Sequence, residues 1–302
     1  MGTFFKQIYR YTHPRRYRHN ENLWPYIKFT RAKEGHIDTL RYRGQLVPLY
    51  NLSALTQEKP EKLLIVATGP SVKNTNLSLL KNVVAMGLNG AWFKHQEVSF
   101  HYYVIIDMTF LDHHMDLVKQ VISQPDLIFF TTTHGVIKII NAFAPDLIKC
   151  RLALIEDACF KIMQPKIFPE EIESCYRGVS SINISTKQPT IAFSSDIRQG
   201  IFDAGTVAYW ALQIAAFMQT KNIIFAGLDM NNFNQPRFYE TENNSLPSFL
   251  EEKFTGMILP AFQHASQILK KNNTSVYNLS INSAVPDNIF KKVFPDDIVS
   301  NL

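Results

Sequence analysis

Cysteine is scarce in this chain, and the cysteines that occur show no pairing pattern. Cys150, Cys159 and Cys175 are odd in number, and no two of them have the CxxC spacing. Such a set is typical of reduced thiols in a reducing compartment. It argues against a disulfide framework and against a zinc site of the usual spacing.

Long apolar runs are also missing. The nearest approach is Ala204 to Thr220, and Gly205, Thr206 and Gln213 interrupt it. Because a membrane span needs roughly 18 to 20 apolar residues, a buried helix is the better interpretation of this run. The N-terminus has no apolar signal core, which predicts a cytoplasmic protein.

Glycine is sparse in the stretch that most resembles a phosphate loop. Residues 63–74, "LLIVATGPSVKN", change from an apolar strand-like run through Gly69, Pro70 and Ser71 into a helix-like segment. With one glycine the stretch meets neither the dinucleotide fingerprint nor the P-loop pattern. The N–H groups at a helix start still suit a phosphate or carboxylate, and an ordinary strand-to-helix turn is the alternative.

Positive charge is concentrated near the N-terminus. Residues 1–62 hold 12 Lys/Arg and 5 Asp/Glu, although the net charge of the whole chain is only +5. Residues 9–19, "YRYTHPRRYRH", mix arginines with tyrosines. This mixture favours an anionic lipid surface, with a solvated arm as the plain alternative. Nucleic acid is disfavoured because the rest of the chain has no basic excess. We therefore divide the chain into a basic N-terminal arm, residues 1–60, and a globular domain, residues 61–302.

After residue 61 short β-rich runs alternate with longer helical ones. The strand runs are mostly continuous and apolar, which indicates strands buried on both faces of a parallel sheet. The alternation predicts a doubly wound, Rossmann-like α/β domain. Residues 157–200 fit no regular element and are interpreted as an inserted loop or lid. The predicted strands are "KLLIVAT", "VVAMGLN", "HYYVIID", "DLIFFTTT", "CRLALIE", "KNIIFAGLD" and "TSVYNLS", and the predicted helices lie near residues 110–123, 136–147, 204–219 and 246–272.

Polar residues follow five of these strands. In such folds ligands bind at the carboxyl ends of the strands, so these residues together predict a polar crevice for a hydroxyl-rich ligand. Turn formation and helix capping are the alternative explanation for each of them. They are Thr68 to Ser71, Asn89 with Gly90, Asp107, Thr131 to Thr133, and Gly227 to Asp229.

Two further segments add candidate ligand groups. The helix "DAGTVAYWALQIAAF" begins near Gly205 and Thr206, where its N–H groups would offer an anion site, unless Asp203 is a simple N-cap. The loop "MNNFNQPRFYETENN" carries Arg237, Tyr239 and Glu240 beyond a strand end. Recognition residues concentrate in such loops, and surface packing is the alternative.

A metal is not expected. His113 and His114 are adjacent, with Asp112 and Asp116 nearby. Adjacent helical residues point in different directions, so the two histidines would not act together as ligands. We predict no essential metal and no cofactor.

Several ordered blocks resemble one family, the RfaZ/WaaZ-type Kdo transferases of the lipopolysaccharide core. The resemblance extends over roughly residues 63–290, and the layout more distantly resembles the bacterial lipooligosaccharide sialyltransferases. The blocks that carry it are "TGPSVKNTNLSLL", "VVAMGLNGAW", "YYVIIDMTFL", "GTVAYWALQIAAFMQTKNIIFAGLDM", "RFYETENNSLPSFL", "ILPAFQHA" and "SVYNLSINSAV".

The resemblance implies a sialyltransferase-like glycosyltransferase that moves a keto-sugar acid from a CMP sugar, most simply Kdo from CMP-Kdo. The acceptor would be the inner core of lipopolysaccharide or lipooligosaccharide, so the enzyme would be peripheral on the inner face of the cytoplasmic membrane. Sialyl transfer, or a binding protein without catalysis, remains the alternative.

The resemblance also implies roles for the candidate residues. The nucleotide would be held by the set Gly69, Pro70, Ser71, Asn89, Asp107, Gly205 and Thr206. Arg237 and Tyr239 would stabilise the departing phosphate. Residues 243–258 contain no His, where the sialyltransferases have their catalytic one. The general base is therefore open among Asp229, which we favour, Asp107, Glu240 and His264.

Overall fold

A computed structural model describes residues 3–231, 233–243, 245 and 247–301 of the chain. Its centre is an eight-stranded sheet in the order β13-β12-β11-β4-β5-β6-β7-β8, with every neighbouring pair parallel. The strands are β1 Ile27–Arg31, β2 Ile37–Tyr42, β3 Gln45–Val47, β4 Lys62–Val66, β5 Val84–Leu88, β6 Phe100–Val104, β7 Ile128–Thr131, β8 Arg151–Leu154, β9 Ile182–Ile184, β10 Ala192–Ser194, β11 Asn222–Ala226, β12 Ser275–Asn278 and β13 Lys291–Lys292.

All seven predicted strands belong to this sheet, and the predicted α/β class is confirmed. The reason is visible in β4, where Leu63 and Ile65 pack into one hydrophobic core while Leu64 and Val66 pack into a second. Successive side chains of a strand point to opposite faces, so a continuous apolar run fills both cores at once.

The helices lie between the strands. The predicted helix near residues 110–123 is two helices, α2 and α3, which meet at His114 with φ −126° and ψ 40°. The α-helices are α1 Thr3–Thr12, α2 Met108–His113, α3 Met115–Ile122, α4 Thr133–Ala142, α5 Ile172–Tyr176, α6 Val207–Phe217, α7 Leu250–Lys253, α8 Leu259–Lys271 and α9 Pro295–Asn301, and a π-helical turn Phe254–Ile258 joins α7 to α8. Leu246, where the fourth predicted helix begins, lies outside the described residues, as do Asn232 and Asn244 of the predicted recognition loop.

The strand order reverses at one place in the sheet. From β4 the chain adds β5 to β8 on one side, and then returns to place β11, β12 and β13 on the other. β4 therefore pairs with both β5 and β11. In open α/β sheets ligands bind outside the carboxyl ends of the strands at this switch point, so the topology points to the turns that follow β4 and β11.

The basic N-terminal segment is folded against the body. β1, β2 and β3 form an antiparallel meander whose buried side chains join the second core. Arg31 donates from Nη1 and Nη2 to the two carboxylate oxygens of Glu156, at 2.5 and 2.9 Å, and Glu156 is 7% exposed. The alternation of apolar and polar residues in "IKFTR", typical of a half-buried strand, is the sequence signal for this sheet.

Residues 157–200 form a packed insertion between β8 and α6. They contain α5 and the antiparallel pair β9 and β10, and Phe193 is fully buried. Gln213 of α6 ties the insertion down, since its Oε1 accepts from the N–H groups of Ser194 and Phe202 at 3.0 Å each. Whether this segment acts as a lid stays a prediction.

The run Ala204 to Thr220 is a buried helix, as the sequence indicates: α6 has no exposed residue. Among the described residues, no helix combines the length and apolar character that crossing a bilayer would require.

Candidate active site

A cleft of about 760 Å³ opens at the carboxyl end of the sheet, over the switch point. Strand ends form its floor, the start of α6 forms one wall, and the segment between β11 and α7 forms another. From the predicted set, the lining residues are Gly69, Pro70, Asn89, Asp107, Gly205, Thr206, Asp229 and Arg237. The sequence prediction of a polar crevice at the strand ends therefore agrees with the position of this cleft.

Hydrogen bonds connect Asp229 to the turn after β4, across the switch point. Ser71 donates its N–H to Asp229 Oδ2 at 2.8 Å and its hydroxyl to Asp229 Oδ1 at 2.5 Å. Gly69 donates its N–H to the carbonyl of Gly227 at 3.0 Å. Both oxygens of Asp229 thus hold the turn in place. Ser71 is a predicted nucleotide residue, but it is absent from the described lining residues and is hydrogen-bonded to Asp229, which does line the cleft.

Asn89 lines the cleft, and its side-chain Oδ1 is buried. Its backbone has φ +46°, a conformation that Asn adopts more readily than most residues. Within the described part of the chain, its buried Oδ1 accepts no hydrogen bond. A buried acceptor without a partner costs free energy, so a ligand donor at this position would relieve that cost.

A hydrogen bond from Tyr103 fixes the backbone of Asn89. The fully buried Tyr103 hydroxyl donates to the Asn89 carbonyl and accepts from the Trp92 N–H, both at 2.6 Å. Burial raises the pKa of Tyr103 well above its ordinary value, so the hydroxyl keeps its proton. The backbone of Asn89, at the edge of the cleft, is therefore held by a buried support.

The start of α6 forms one wall of the cleft. Thr206 is the N-cap, since its Oγ1 accepts from Ala208 N–H at 3.3 Å. The alternative of Asp203 as N-cap is wrong, because its carboxylate instead accepts from Gly205 N–H and from Trp210 Nε1 at 3.0 and 2.9 Å. Gly205 has φ +77°, a left-handed conformation that suits glycine. The first turn of this helix points at the cleft and favours negative charge.

The loop after β11 docks on β4. Phe238 N–H donates to the Thr68 carbonyl at 3.3 Å, which brings Arg237 into the lining of the cleft. Arg237 Nη1 lies 2.6 Å from Glu240 Oε1, and Glu240 Oε2 also accepts from the Arg237 N–H at 2.9 Å. The Arg237 side chain stays 30% exposed, so it is held in place yet accessible to a ligand.

Tyr239 lies behind the cleft wall. Its ring stacks on Phe93 with centroids 5.1 Å apart and meets His114 edge-on at 5.8 Å. It is absent from the described lining residues, and burial raises its pKa. It also packs on Gly90, where any Cβ would collide with its ring. Its position supports packing of the loop and not the predicted contact with a departing phosphate.

The other predicted bases differ in position. Asp107 lines the cleft and caps α2, with Oδ1 accepting from Thr109 N–H at 2.8 Å. Glu240 lines the cleft and is engaged by Arg237. His264 is absent from the described lining, and its Nε2 bonds to the Asn183 carbonyl at 2.9 Å. Burial lowers the pKa of His264, as expected of a packed histidine.

Asp157 is a lining residue that the sequence analysis missed. It lies three residues after the end of β8, as Asp107 lies three residues after the end of β6, so the strand-end rule that selected Asn89 and Asp107 selects it as well. Burial, and to a smaller extent the charge of Asp203, raise its pKa to about 7. Perturbed carboxyl groups of this kind concentrate at functional sites.

Acidic groups outnumber basic ones around the cleft. The carboxylates of the described lining are Asp107, Asp157, Asp203, Asp229 and Glu240, and the cations are Arg237 and Lys253. In the described chain no cluster of three or more His, Cys, Asp or Glu is placed to hold a metal ion. The expectation that no metal is essential stays a prediction.

Comparison with known proteins finds that the chain is similar to glycosyltransferases. The family described as 3-deoxy-D-manno-octulosonic acid transferase WaaZ matches residues 159–294. Two relatives, each described as a probable 3-deoxy-manno-octulosonic acid transferase, are 24% identical. The Escherichia coli K12 protein aligns over 79% of this chain and 84% of its own length, and the Salmonella typhimurium LT2 protein over 78% and 87%.

Two solved structures are also similar. One is the sialyltransferase CstII from Campylobacter jejuni in complex with a substrate analogue, cytidine-5′-monophosphate, with a TM-score of 0.43 at 13% identity. The other is the sialyltransferase CST-II in complex with a trisaccharide acceptor and CMP, with a TM-score of 0.40 at 14% identity. Each alignment covers 80% of this chain and 88% of the solved one.

The match to residues 159–294 includes the start of α6, the strand β11 and the loop that carries Arg237, which are three parts of the cleft. The comparisons bear out the resemblance seen in the sequence and the expectation of a glycosyltransferase: the chain is similar to the WaaZ-type 3-deoxy-D-manno-octulosonic acid transferases.

Proposed function

We propose that the protein transfers Kdo from CMP-Kdo to the inner core of lipopolysaccharide or lipooligosaccharide. The observation that carries this proposal is the make-up of the cleft. It combines an unpartnered buried acceptor at Asn89 with the N-terminus of α6 and the cation of Arg237. A donor with a nucleoside at one end and two acidic groups at the other would satisfy all three.

Each part of the donor has a natural place in this arrangement. The nucleoside offers N–H and O–H donors to Asn89 Oδ1. The phosphate meets the start of α6 beside Gly205 and Thr206, where the helix dipole favours an anion. Arg237 can form two parallel hydrogen bonds to the sugar carboxylate or to the phosphate. Stabilising the phosphate as it leaves lowers the barrier to transfer.

The decisive experiment measures CMP release by the purified protein. CMP-Kdo and CMP-sialic acid are compared, each with and without a lipid A–core acceptor. Acceptor-dependent release from CMP-Kdo alone supports the proposal. Release from CMP-sialic acid alone would replace Kdo transfer with sialyl transfer, and binding of both without release would indicate a protein without catalysis.

Replacing Asn89 by Gly is expected to weaken CMP binding about tenfold while leaving the fold intact. Glycine accepts the positive φ of this position, so the change removes the side chain without straining the backbone. Loss of one buried hydrogen bond is worth about 1 kcal/mol or more, which approaches a factor of ten. Titration calorimetry with CMP provides the measurement.

Asn273→Gly is the matched control, because Asn273 also has a positive φ, +58°, and is exposed away from the cleft. We expect it to bind CMP as the wild type does. Unchanged affinity in Asn89→Gly would remove Asn89 from the nucleotide site.

We further propose that the N-terminal segment holds the enzyme at the inner face of the cytoplasmic membrane, where the acceptor resides. Phe4 and Tyr11 are 67% and 89% exposed on α1, and Arg15 and Arg18 are exposed just after it. Exposed aromatics and cations together suit an anionic lipid surface. Tyr9 of the same helix is fully buried, so deleting the segment would damage the fold.

The double variant Arg15→Glu/Arg18→Glu is therefore expected to bind phosphatidylglycerol-containing vesicles at least tenfold more weakly. Each cation near an anionic surface contributes roughly 1 kcal/mol, and reversal replaces attraction with repulsion. Vesicle co-sedimentation at low and high salt measures the effect, since salt should weaken only the wild type strongly. Lys270→Glu/Lys271→Glu, at the exposed end of α8, is the control. Equal loss in both variants would mean that binding follows net charge and not this segment.

A further inference from the structure

We propose that Asp157 is the general base that removes the proton from the acceptor hydroxyl. This assignment rests on the proposed transfer reaction and names the group that the sequence left open.

Backbone contacts fix the position of Asp157. Asp157 forms an isolated parallel β-bridge with Ile201. The next residue, Ala158, donates its N–H to the Ile201 carbonyl at 2.9 Å. Asp157 Oδ1 accepts from the Cys159 N–H at 2.7 Å. The carboxyl group therefore stands at the end of β8 beside the wall formed by Asp203 and the start of α6, and it lines the cleft.

Of the other lining carboxylates, Asp107 caps α2 and its Oδ1 accepts from the N–H groups of Thr109 and Phe110, which favour its charged form. The remaining three have structural bonds to both carboxylate oxygens. Asp229 holds the turn at Ser71 with both oxygens. Asp203 accepts from the Gly205 N–H with Oδ2 and from Trp210 Nε1 with Oδ1. Glu240 is engaged by the Arg237 side chain and backbone. A carboxylate stabilised by a cation or by several N–H groups is a weaker base.

The surroundings of Asp157 have the opposite effect. Burial and the neighbouring charge of Asp203 disfavour its charged form and raise its pKa to about 7, while Lys166 and the N–H groups of Cys159 and Phe160 oppose the rise. The Cys159 thiol and the Tyr176 hydroxyl also face it, and burial raises the pKa of both, so they are neutral near pH 7. No Lys, Arg or His of the described chain forms an ion pair with Asp157. A base whose pKa lies near the working pH accepts a proton efficiently and returns it to solvent afterwards.

The transfer step balances with this residue as base. The acceptor oxygen bonds to the anomeric carbon of the keto sugar while its proton moves to a carboxylate oxygen of Asp157. The bond between that carbon and the phosphate oxygen breaks, and its electron pair leaves with CMP. Asp157 then releases the proton to water, so one proton is formed for each glycosidic bond.

Asp203 acts in this scheme as a positioning residue. Its negative charge helps to keep the pKa of Asp157 high. Removing that charge should lower the pKa of Asp157. Because the base must be deprotonated to work, kcat/KM falls as the pH drops through its pKa. The acidic limb of the profile should therefore move to lower pH in Asp203→Asn.

The first test needs no substrate. Carbon-detected NMR of protein labelled at the aspartate carboxyl carbons should show one group titrating near pH 7. That signal should be missing from Asp157→Asn and shifted to lower pH in Asp203→Asn. If no aspartate titrating near neutral pH disappears in Asp157→Asn, the assignment is overturned.

The second test measures turnover with CMP-Kdo and a lipid A–core acceptor. We expect Asp157→Asn to keep wild-type melting and CMP affinity but to lose at least a hundredfold in kcat, as general bases contribute about 10² to 10⁴. The exposed Asp146→Asn, before β8, should behave as the wild type. Asp157→Asn with more than a tenth of wild-type kcat would overturn the assignment. A wild type that releases no CMP would overturn the proposed function and the base together, whereas an active wild type beside an active Asp157→Asn would overturn the base alone.

Discussion

Gly69→Ala is expected to lose CMP binding by about a hundredfold and to unfold about 1 to 3 kcal/mol more easily. A Cβ at this position would lie 2.5 Å from Asp229 Oδ2 and 2.6 Å from the Gly227 carbonyl oxygen. The second of these atoms belongs to the backbone, so the turns after β4 and β11 would have to separate. Overpacking of this kind costs about 1 to 3 kcal/mol, and a displacement near 1 Å in a site can cost about a hundredfold.

The backbone of Gly69 does not itself demand glycine, since its φ is −64° and its ψ 153°. The effect of the substitution is therefore steric and local to the switch point. Urea unfolding and calorimetric CMP titration give the two numbers. Gly256→Ala is the control, because no heavy atom lies within 4 Å of a Cβ there. If Gly69→Ala binds CMP normally, the turn after β4 is not part of the nucleotide site.

Asp229→Asn is expected to weaken CMP binding about tenfold and to reduce kcat at saturating donor by less. The Ser71 N–H can only donate, so it must retain the amide oxygen of the new side chain. The amide nitrogen then faces the Ser71 hydroxyl, which can rotate to donate to Ser280 Oγ, 2.8 Å away. The turn survives, but it loses bonds to a charged acceptor, which are each worth about 1.5 to 3 kcal/mol.

Ser71→Ala and the double variant Ser71→Ala/Asp229→Asn complete the measurement. If the two residues act as one unit, their effects on CMP affinity should be far from additive, with a coupling of about 1 to 3 kcal/mol. Normal CMP affinity with a drop in kcat of several hundredfold in Asp229→Asn would instead make Asp229 the base. That result would support the assignment favoured from the sequence over Asp157.

The strands of the central sheet could be recognised from sequence because their signal is local. A strand covered by helices on both faces needs an apolar residue at nearly every position, as in residues 63–66 of β4. The strands of the N-terminal meander were not predicted, for the opposite reason. These strands mix buried and exposed residues, so they contain no continuous apolar run of the kind that marks the central strands.

The candidate site was only partly predictable. The strand-end rule brought Asn89, Asp107 and Asp229 to the same crevice, because parallel strands deliver their carboxyl ends to one edge of the sheet. The same rule applies to Asp157, but nothing in the local sequence shows that Asp203 lies close enough to raise its pKa. Tyr239 has the chemistry of a phosphate ligand, and only the fold shows that its ring is stacked on Phe93.

By itself the sequence determined the parallel α/β architecture, the edge of the sheet at which the cleft lies and the relationship to a transferase family. These depend on patterns within single elements and on blocks in order along the chain. The tertiary structure alone decided which polar groups hold one another and which remain for a ligand. Ser71 and Asp229 are 158 positions apart, yet hydrogen bonds from Ser71 occupy both oxygens of the Asp229 carboxylate, which the sequence alone predicts to be the general base. Such pairings form only when the strand order reverses between β4 and β11, so composition and spacing carry no record of them.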